Sequence, residues 1–296
     1  MSKGAKGRRE SVITVACIQM EPVVGEVDRN IARSVEMIRE AAEKHGAKLI
    51  VLPELANSGY VFETREEAFA CSEVIAEGPA SEAWMELCAD YGCYIVAGMD
   101  EREGDNLYNS SACFGPNGHV GTFRKVHLWN EENLFFERGN LGFPVWHTPI
   151  GRIATHICYD SWFPESHRLA VLQGADIICV PTNWVPIPGQ DPNREAMANI
   201  LIMAAAHSNS VFIAAADRVG TERGQPFVGQ SLITSYTGWP ITGPASATDE
   251  AILCAEVNLA DARRKRNWNE YNQPLRDRRR DVYGEMLGSE HEPHWY

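Results

Sequence analysis

Apolar and polar residues alternate with two different periods along this chain, and the switches between them mark its elements. Ser11–Gln19 (SVITVACIQ) is β-branched and alternating, which predicts a first strand. The period then changes: with Asp28 as the capping residue, Ile31, Val35, Ile38 and Ala42 recur at helical spacing, and the helix ends near Gly46. Lys48–Leu52 (KLIVL) is a short, nearly continuous apolar run, as expected of a strand covered on both faces. Ser81–Tyr91 reads as a helix capped by Ser81, and Cys93–Met99 and Asn109–Gly115 read as strands. Pro116-Asn117-Gly118-His119 is a hairpin signal that returns the chain into Gly121–Val126.

The pattern repeats in the second half. Gly151–Cys158 predicts a strand that breaks sharply into a helix over Pro164–Gln173, followed by a strand at Ala175–Val180. A helix at Asn193–Ser208 and strands at Val211–Ala216, Phe227–Ser235 and Ala251–Val257 complete the series. From Asp261 the chain is charged, and it ends in aromatics. No Pro- or Ser-rich linker and no solenoid-period repeat divides it. The expectation is an α/β protein with one domain of four layers, helix–sheet–sheet–helix, over residues 11–275. A flexible N-terminus (1–10) precedes it, and a C-terminal tail (276–296) follows.

Composition narrows the partners. The 27 Lys and Arg residues against 40 Asp and Glu give a net charge of −13, which disfavours nucleic acid and anionic membrane surfaces as partners. The longest apolar stretch, Ala196 to Ala206, is interrupted by Asn199 and is shorter than the ~20 residues a membrane span needs. The apolar run after the basic start, Val12 to Ile18, is too short for a signal-peptide core, so a cytoplasmic protein is expected. The 8 Cys are spread thinly over 296 residues with no CxxC pair, so most read as small core hydrophobes.

Three short segments place a reactive side chain at a strand end, where ligands collect in α/β sheets. Glu54 in Leu52-Pro53-Glu54-Leu55 follows the KLIVL strand. Lys125 in Arg124-Lys125-Val126-His127 closes the hairpin strand. Cys158 in Ile157-Cys158-Tyr159-Asp160 sits at a strand-to-helix elbow. A thiol nucleophile needs a base for its proton and a cation plus backbone N–H groups for a developing oxyanion, and these residue types supply both. Such a position also predicts a lowered thiol pKa. His156, two residues earlier, reads as a packed histidine, with a Cys–His dyad as the alternative. Metal catalysis is a poor competitor: there is no HExxH, and His291-Glu292-Pro293-His294 contains a helix-breaking proline. Gly139-Asn140-Leu141-Gly142 lacks the spacing of a dinucleotide loop, and no cofactor is expected.

Together with Phe163-Pro164-Glu165, Gln173-Gly174-Ala175-Asp176 and Pro181-Thr182-Asn183, these motifs resemble the carbon–nitrogen hydrolase (nitrilase) superfamily over nearly the whole chain. The resemblance implies that Cys158 attacks the amide carbon, that Glu54 moves the protons, and that Lys125 and the Tyr159 backbone N–H hold the oxyanion. It also implies a second glutamate between the lysine and the cysteine. Glu132 fits its place, with the adjacent Glu131 left open.

Tyr159-Asp160 after the cysteine, with Ser161 and Trp162 where carbamoyl-amino-acid hydrolases place arginines, resembles the amidase and N-carbamoylputrescine amidase branch. The implied reaction is thiol-dependent hydrolysis of a small linear amide or N-carbamoyl amine with release of ammonia. A nitrilase is the alternative, and an inactive binding homologue a remoter one. Tyr60, Trp129, Trp162, Phe163, Asn183 and Trp184 are candidate substrate-binding residues, and the Pro-rich 183–189 segment is a candidate pocket rim. The resemblance further implies a homodimer or higher homo-oligomer, with the tail at the interface.

Overall fold

Strand β1 (Val12–Gln19) puts Val15 and Cys17 on one face and Ala16 and Ile18 on the other, and all four are buried. A strand buried on both faces has no polar side, so the alternation expected of β1 gives way to an apolar run broken at Thr14. The computed structural model describes residues 12–189, 191 and 194–283, so the N-terminus read as flexible and the tail beyond 283 lie outside the described residues.

After β1 the first half runs α1 (Val27–His45), β2 (Ala47–Val51), α2 (Arg65–Cys71), α3 (Pro79–Tyr91), β3 (Tyr94–Glu103), β4 (Asn106–Gly115), β5 (Gly118–Arg124) and α4 (Glu132–Phe135). The second runs β6 (Val145–Thr148), β7 (Gly151–Thr155), a 3-10 turn at Cys158–Trp162, α5 (Pro164–Leu172), β8 (Ile177–Pro181), α6 (Met197–Asn209) and β9 (Phe212–Ala216). Short strands β10 (Thr221–Glu222), β11 (Gln225–Pro226), β12 (Leu232–Thr234) and β13 (Pro240–Thr242) lead to β14 (Ala251–Asn258), α7 (Asp261–Arg264) and α8 (Arg280–Tyr283).

Two six-stranded sheets result, ordered β14-β1-β2-β3-β4-β5 and β13-β12-β9-β8-β7-β6. Their inner faces meet through Val15, Cys17, Leu49, Val51 and Val96 on one side and Ile153, Ile177, Cys179 and Ala214 on the other. The outer face of the first sheet packs on Met37, Ile38 and Ala41 of α1 and Trp84 and Leu87 of α3. That of the second packs on Ala170 and Val171 of α5 and Ile202 and Ala206 of α6. This is the helix–sheet–sheet–helix sandwich expected from the pattern, in one domain.

Topology places the site. β1, β2 and β3 are parallel, and the hairpins β3–β4 and β4–β5 are antiparallel, so β5 runs in the same direction as β2. β7, β8 and β9 are likewise parallel. Glu54 and Lys125 therefore follow the carboxyl ends of β2 and β5, and residues 158, 183 and 217 follow those of β7, β8 and β9.

Several local expectations shift. The cap of α1 is Glu26 rather than Asp28, and its buried stripe is Asn30, Ser34, Met37, Ile38 and Ala41, with Ile31, Val35 and Ala42 half-buried. Polar Asn30 and Ser34 enter that stripe because each side chain hydrogen-bonds: Asn30 to Val23, and Ser34 to Ile31 and Trp84. Ser81 is inside α3, whose first turn is capped instead by the Glu73 carboxylate, which accepts from the backbone N–H groups of Ala80 and Ser81. The hairpin β3–β4 runs on through the charged 100–106 stretch, where no apolar alternation announces a strand. The strand expected over 227–235 shrinks to β12, because Gly229 and Gln230 take left-handed φ values of 63° and 59°. The β7 strand stops at Thr155, short of the expected Cys158.

Asp100 in β3 is fully buried, and among the described residues neither of its carboxylate oxygens has a hydrogen-bond partner. Burial, reinforced by nearby Glu73 and opposed by Arg102, holds its pKa well above the usual aspartate value. A carboxyl raised in the folded state supports stability only while protonated, and that support is lost as pH rises through the folded pKa. Asp100→Asn should therefore stabilise the protein at pH 8 by about 1–3 kcal/mol, with the gain shrinking as pH falls toward about 4. Denaturant melts at the two pH values check this, and an equal gain at both would contradict it.

Candidate active site

Glu54 is positioned by a close approach of two backbones. Gly98 of β3 donates its N–H to Pro53 O at 3.1 Å, and Ala56 N–H donates to Gly98 O at 2.9 Å. A Cβ at residue 98 would collide with the Pro53–Glu54 backbone, so glycine alone permits this crossing. Leu55 then turns through a left-handed φ of 48°.

Lys125 follows β5, whose end is clamped by Arg124. The Arg124 guanidinium pairs with Glu101 at 2.5 and 3.0 Å and lies 3.8 Å over the Tyr108 ring. Lys125 N–H donates to Asn109 O at 2.8 Å, and Gly139 N–H donates to Lys125 O at 2.9 Å. Residue 139 must be glycine too, since a Cβ there would run into the Arg124 carbonyl.

The Lys125 ammonium is completely buried between two carboxylates, 2.6 Å from Glu54 Oε1 and 2.7 Å from Glu132 Oε1. Asn109 Nδ2 also donates to Glu54 Oε1, at 2.7 Å. Glu132 opens α4 just after the left-handed Asn130 (φ 46°) and accepts from Tyr60 Oη at 2.7 Å and Trp129 N–H at 3.1 Å. Glu131 is exposed, so the geometry brings Glu132, not its neighbour, to the lysine. Burial works against the Lys125 charge, but Glu132 and Glu54 outweigh it and raise its pKa, which keeps it an ammonium. Burial and the Glu54 charge raise the Glu132 pKa, against the pull of Lys125.

Cys158 heads the 3-10 turn with a left-handed φ of 44°, a conformation costly for a residue with a Cβ. The expected lowering of its thiol pKa is overturned. Burial first, then the Glu54 and Glu132 charges, push it well above the usual thiol value, with Lys125 and Thr182 acting in the opposite direction. These contributions together favour the neutral thiol over the thiolate. His156 forms no dyad with it: the ring is fully buried among Phe123, Phe143 and His167, and among the described residues neither ring nitrogen has a hydrogen-bond partner.

Cys158 lines a pocket with Trp129, Tyr159, Trp162, Asn183, Trp184, Val185 and Ile187. Trp129 and Tyr159 meet edge to face at 4.9 Å, as do Trp162 and Trp184 at 6.4 Å. Tyr60 and Glu132 line an adjoining space that shares Trp129 and Val185 with the first. Of the six candidate binding residues, Phe163 alone lines neither space; its ring is stacked 3.6 Å from His127.

Two supports escaped the sequence reading. Asn109 is one, in the buried polar run Asn109-Ser110-Ser111, whose three consecutive polar residues within an apolar strand were the available signal. Asp160 is the other. Its Oδ1 accepts from His127 N–H at 3.0 Å and meets His127 Nδ1 at 2.7 Å, while Oδ2 accepts from Ile157 N–H at 3.2 Å. One buried carboxylate thus ties the lysine segment to the cysteine elbow.

The carbon-nitrogen hydrolase family profile matches residues 14–267. A nitrilase of Pyrococcus abyssi is 42% identical over 274 residues, covering 92% of this chain and 99% of its own. An N-carbamoylputrescine amidase of Arabidopsis thaliana is 31% identical, covering 95% of this chain and 97% of its own. The crystal structure of a carbon-nitrogen hydrolase from Helicobacter pylori G27 superposes with a TM-score of 0.80 at 25% identity, over 93% of this chain and 98% of that one. Among the described residues, no helix is long and apolar enough to cross a membrane.

The Asp160 brace makes a stability prediction. Asp160→Ala strands its buried donors and should cost about 2–4 kcal/mol, whereas Tyr60→Phe removes one hydrogen bond from a carboxylate that stays ion-paired and should cost about 1 kcal/mol. Denaturant unfolding of the two variants checks the ranking, and equal losses would contradict it.

Proposed function

The chain belongs to the carbon-nitrogen hydrolase family, a hydrolase of C–N bonds, and from that premise we propose that it cleaves small linear amides or N-carbamoyl amines through a Cys158 thioester, releasing ammonia. The observation that carries this reading is the buried Glu54–Lys125–Glu132 array facing a neutral thiol. Lys125 occupies Glu54 Oε1, while among the described residues the buried Oε2 has no hydrogen-bond partner. That oxygen is the acceptor for the thiol proton.

In the proposed sequence, Cys158 Sγ attacks the carbonyl carbon as its proton passes to Glu54. The resulting oxyanion is held by the Lys125 ammonium and the Tyr159 N–H. Glu54 then gives the proton to the nitrogen, the C–N bond breaks and ammonia leaves the thioester. A water attacks the thioester, losing its proton to Glu54, and the regenerated thiol completes the cycle. Glu132 keeps Lys125 charged and aimed. Among the described residues that line the pocket with Cys158 none is Lys or Arg, which fits an uncharged acyl group better than a carboxylate-bearing one. The same thiol can attack a nitrile carbon, and the 42% identity to a protein named nitrilase keeps that as the second reading.

Ammonia release from propionamide, N-carbamoylputrescine and propionitrile separates these readings. Cys158→Ala and Glu54→Gln should each lower kcat/KM by about 10³-fold or more; full activity in Cys158→Ala would refute the mechanism. The pH profile should fall on the acid side at a higher pH than an unperturbed glutamate would give, because protonation of the raised Glu132 removes the carboxylate that holds the Lys125 ammonium in place. It should show no rise near pH 9, because the raised thiol stays protonated there and Glu54 does the deprotonating.

A further inference from the structure

Beside the nucleophile lies a buried hydrogen-bond acceptor that the mechanism above does not use. Asn183 follows β8, is 1% exposed, and shares the pocket wall with Cys158. Its Nδ2 donates to the Glu54 backbone carbonyl at 2.9 Å. A carbonyl oxygen can only accept, so the amide group is fixed in orientation: the nitrogen must face Glu54, and Oδ1 must face away from it. Among the described residues, that Oδ1 is buried with no hydrogen-bond partner. Such an atom costs stability unless something supplies it with a donor.

Resting on the reading of the site as a C–N hydrolase, we propose that Asn183 Oδ1 receives an N–H of the substrate's primary carboxamide or carbamoyl group, and that Asn183 thereby selects N–H-bearing substrates over nitriles and esters. The chemistry of the competing substrates makes the distinction sharp. A primary amide presents two N–H donors on the carbon that Cys158 attacks, whereas a nitrile or an ester presents none. A donorless substrate leaves Oδ1 buried and unpaired, and sites built to hydrogen-bond a polar group discriminate strongly against analogues that lack it.

The same contact positions the scissile bond. With the amide nitrogen held by Asn183 and the oxygen turned toward Lys125 and the Tyr159 N–H, the carbonyl carbon faces the thiol. The nitrogen is then near Glu54, since Asn183 is itself bonded to the Glu54 main chain. Asn183 is thus a specificity-determining residue that touches substrate, with a second role in seating the base.

Kinetics separate these two roles. For wild type and Asn183→Ala, kcat/KM is measured with propionamide and with p-nitrophenyl propionate, which delivers the same acyl group without an N–H. Loss of the bond to Glu54 lowers both activities together. Loss of the acceptor lowers the amide alone, so the amide-to-ester ratio should fall by about 10-fold or more. An unchanged ratio would overturn the proposal. Should Asn183→Ala not fold, binding to Cys158→Ala decides: by NMR titration, propionamide should bind about 10-fold tighter than butanone, its methyl-ketone isostere without N–H groups. Equal binding would overturn the proposal as well. Failure of the underlying reading looks different: wild type would then turn over neither substrate, while the propionamide–butanone comparison would still report on Asn183.

Discussion

One ammonium group held in the dry interior by two carboxylates governs the arrangement of this protein. Lys125 is entirely shielded from water, and a buried charge of that kind persists only if its partners are close and well directed. Glu54 and Glu132 come from different segments, so satisfying the lysine draws the end of β2, the end of β5 and the short α4 to one point. Much of the neighbouring structure fixes those three carriers. Gly98 and Gly139 let main chains cross at contact distance, Arg124 clamps the strand end through Glu101, and Asn109 bonds both the Lys125 backbone and the Glu54 carboxylate. Burial, with the Glu54 and Glu132 charges added to it, pushes the Cys158 thiol toward its neutral form.

Which parts of this were readable in the sequence follows from which interactions are local. The central strands were legible because burial on both faces removes their polar residues, and β1, β2, β8 and β9 match their apolar runs to within a few residues. The placement of Glu54, Lys125 and Cys158 was legible because each follows the carboxyl end of an apolar or hairpin strand. The inner face of α1 was misread because Asn30 and Ser34 are buried through hydrogen bonds that only the folded chain supplies. The continuation of β3 and β4 was missed for a related reason: Glu101 is buried against Arg124, a partner more than twenty positions away, so its charge looked like a surface signal.

The thiol was the instructive error. A catalytic cysteine suggests an activated thiolate, and near a lysine that expectation is natural. Here burial and two carboxylates outweigh one ammonium, which favours the neutral thiol over the thiolate. The difference is first a matter of burial and then of charge count, and the sequence does not say how many of its forty acidic residues stand there.

The seam between the two sheets has a further consequence, for the order in which the chain is made. Glu54 and Lys125 belong to the first sheet, Cys158 and Asn183 to the second, yet the first sheet is closed by β14, which pairs with β1 from residue 251 onward. During synthesis Glu54 and Lys125 emerge early, Cys158 midway, and the strand that completes the first sheet after every strand of the second. The edge of β1 that β14 covers therefore stays unpaired until every strand of the second sheet has been made. The strand that closes the first sheet is the last of the described strands to leave the ribosome, so the two sheets reach their full width only when both halves of the chain have been made.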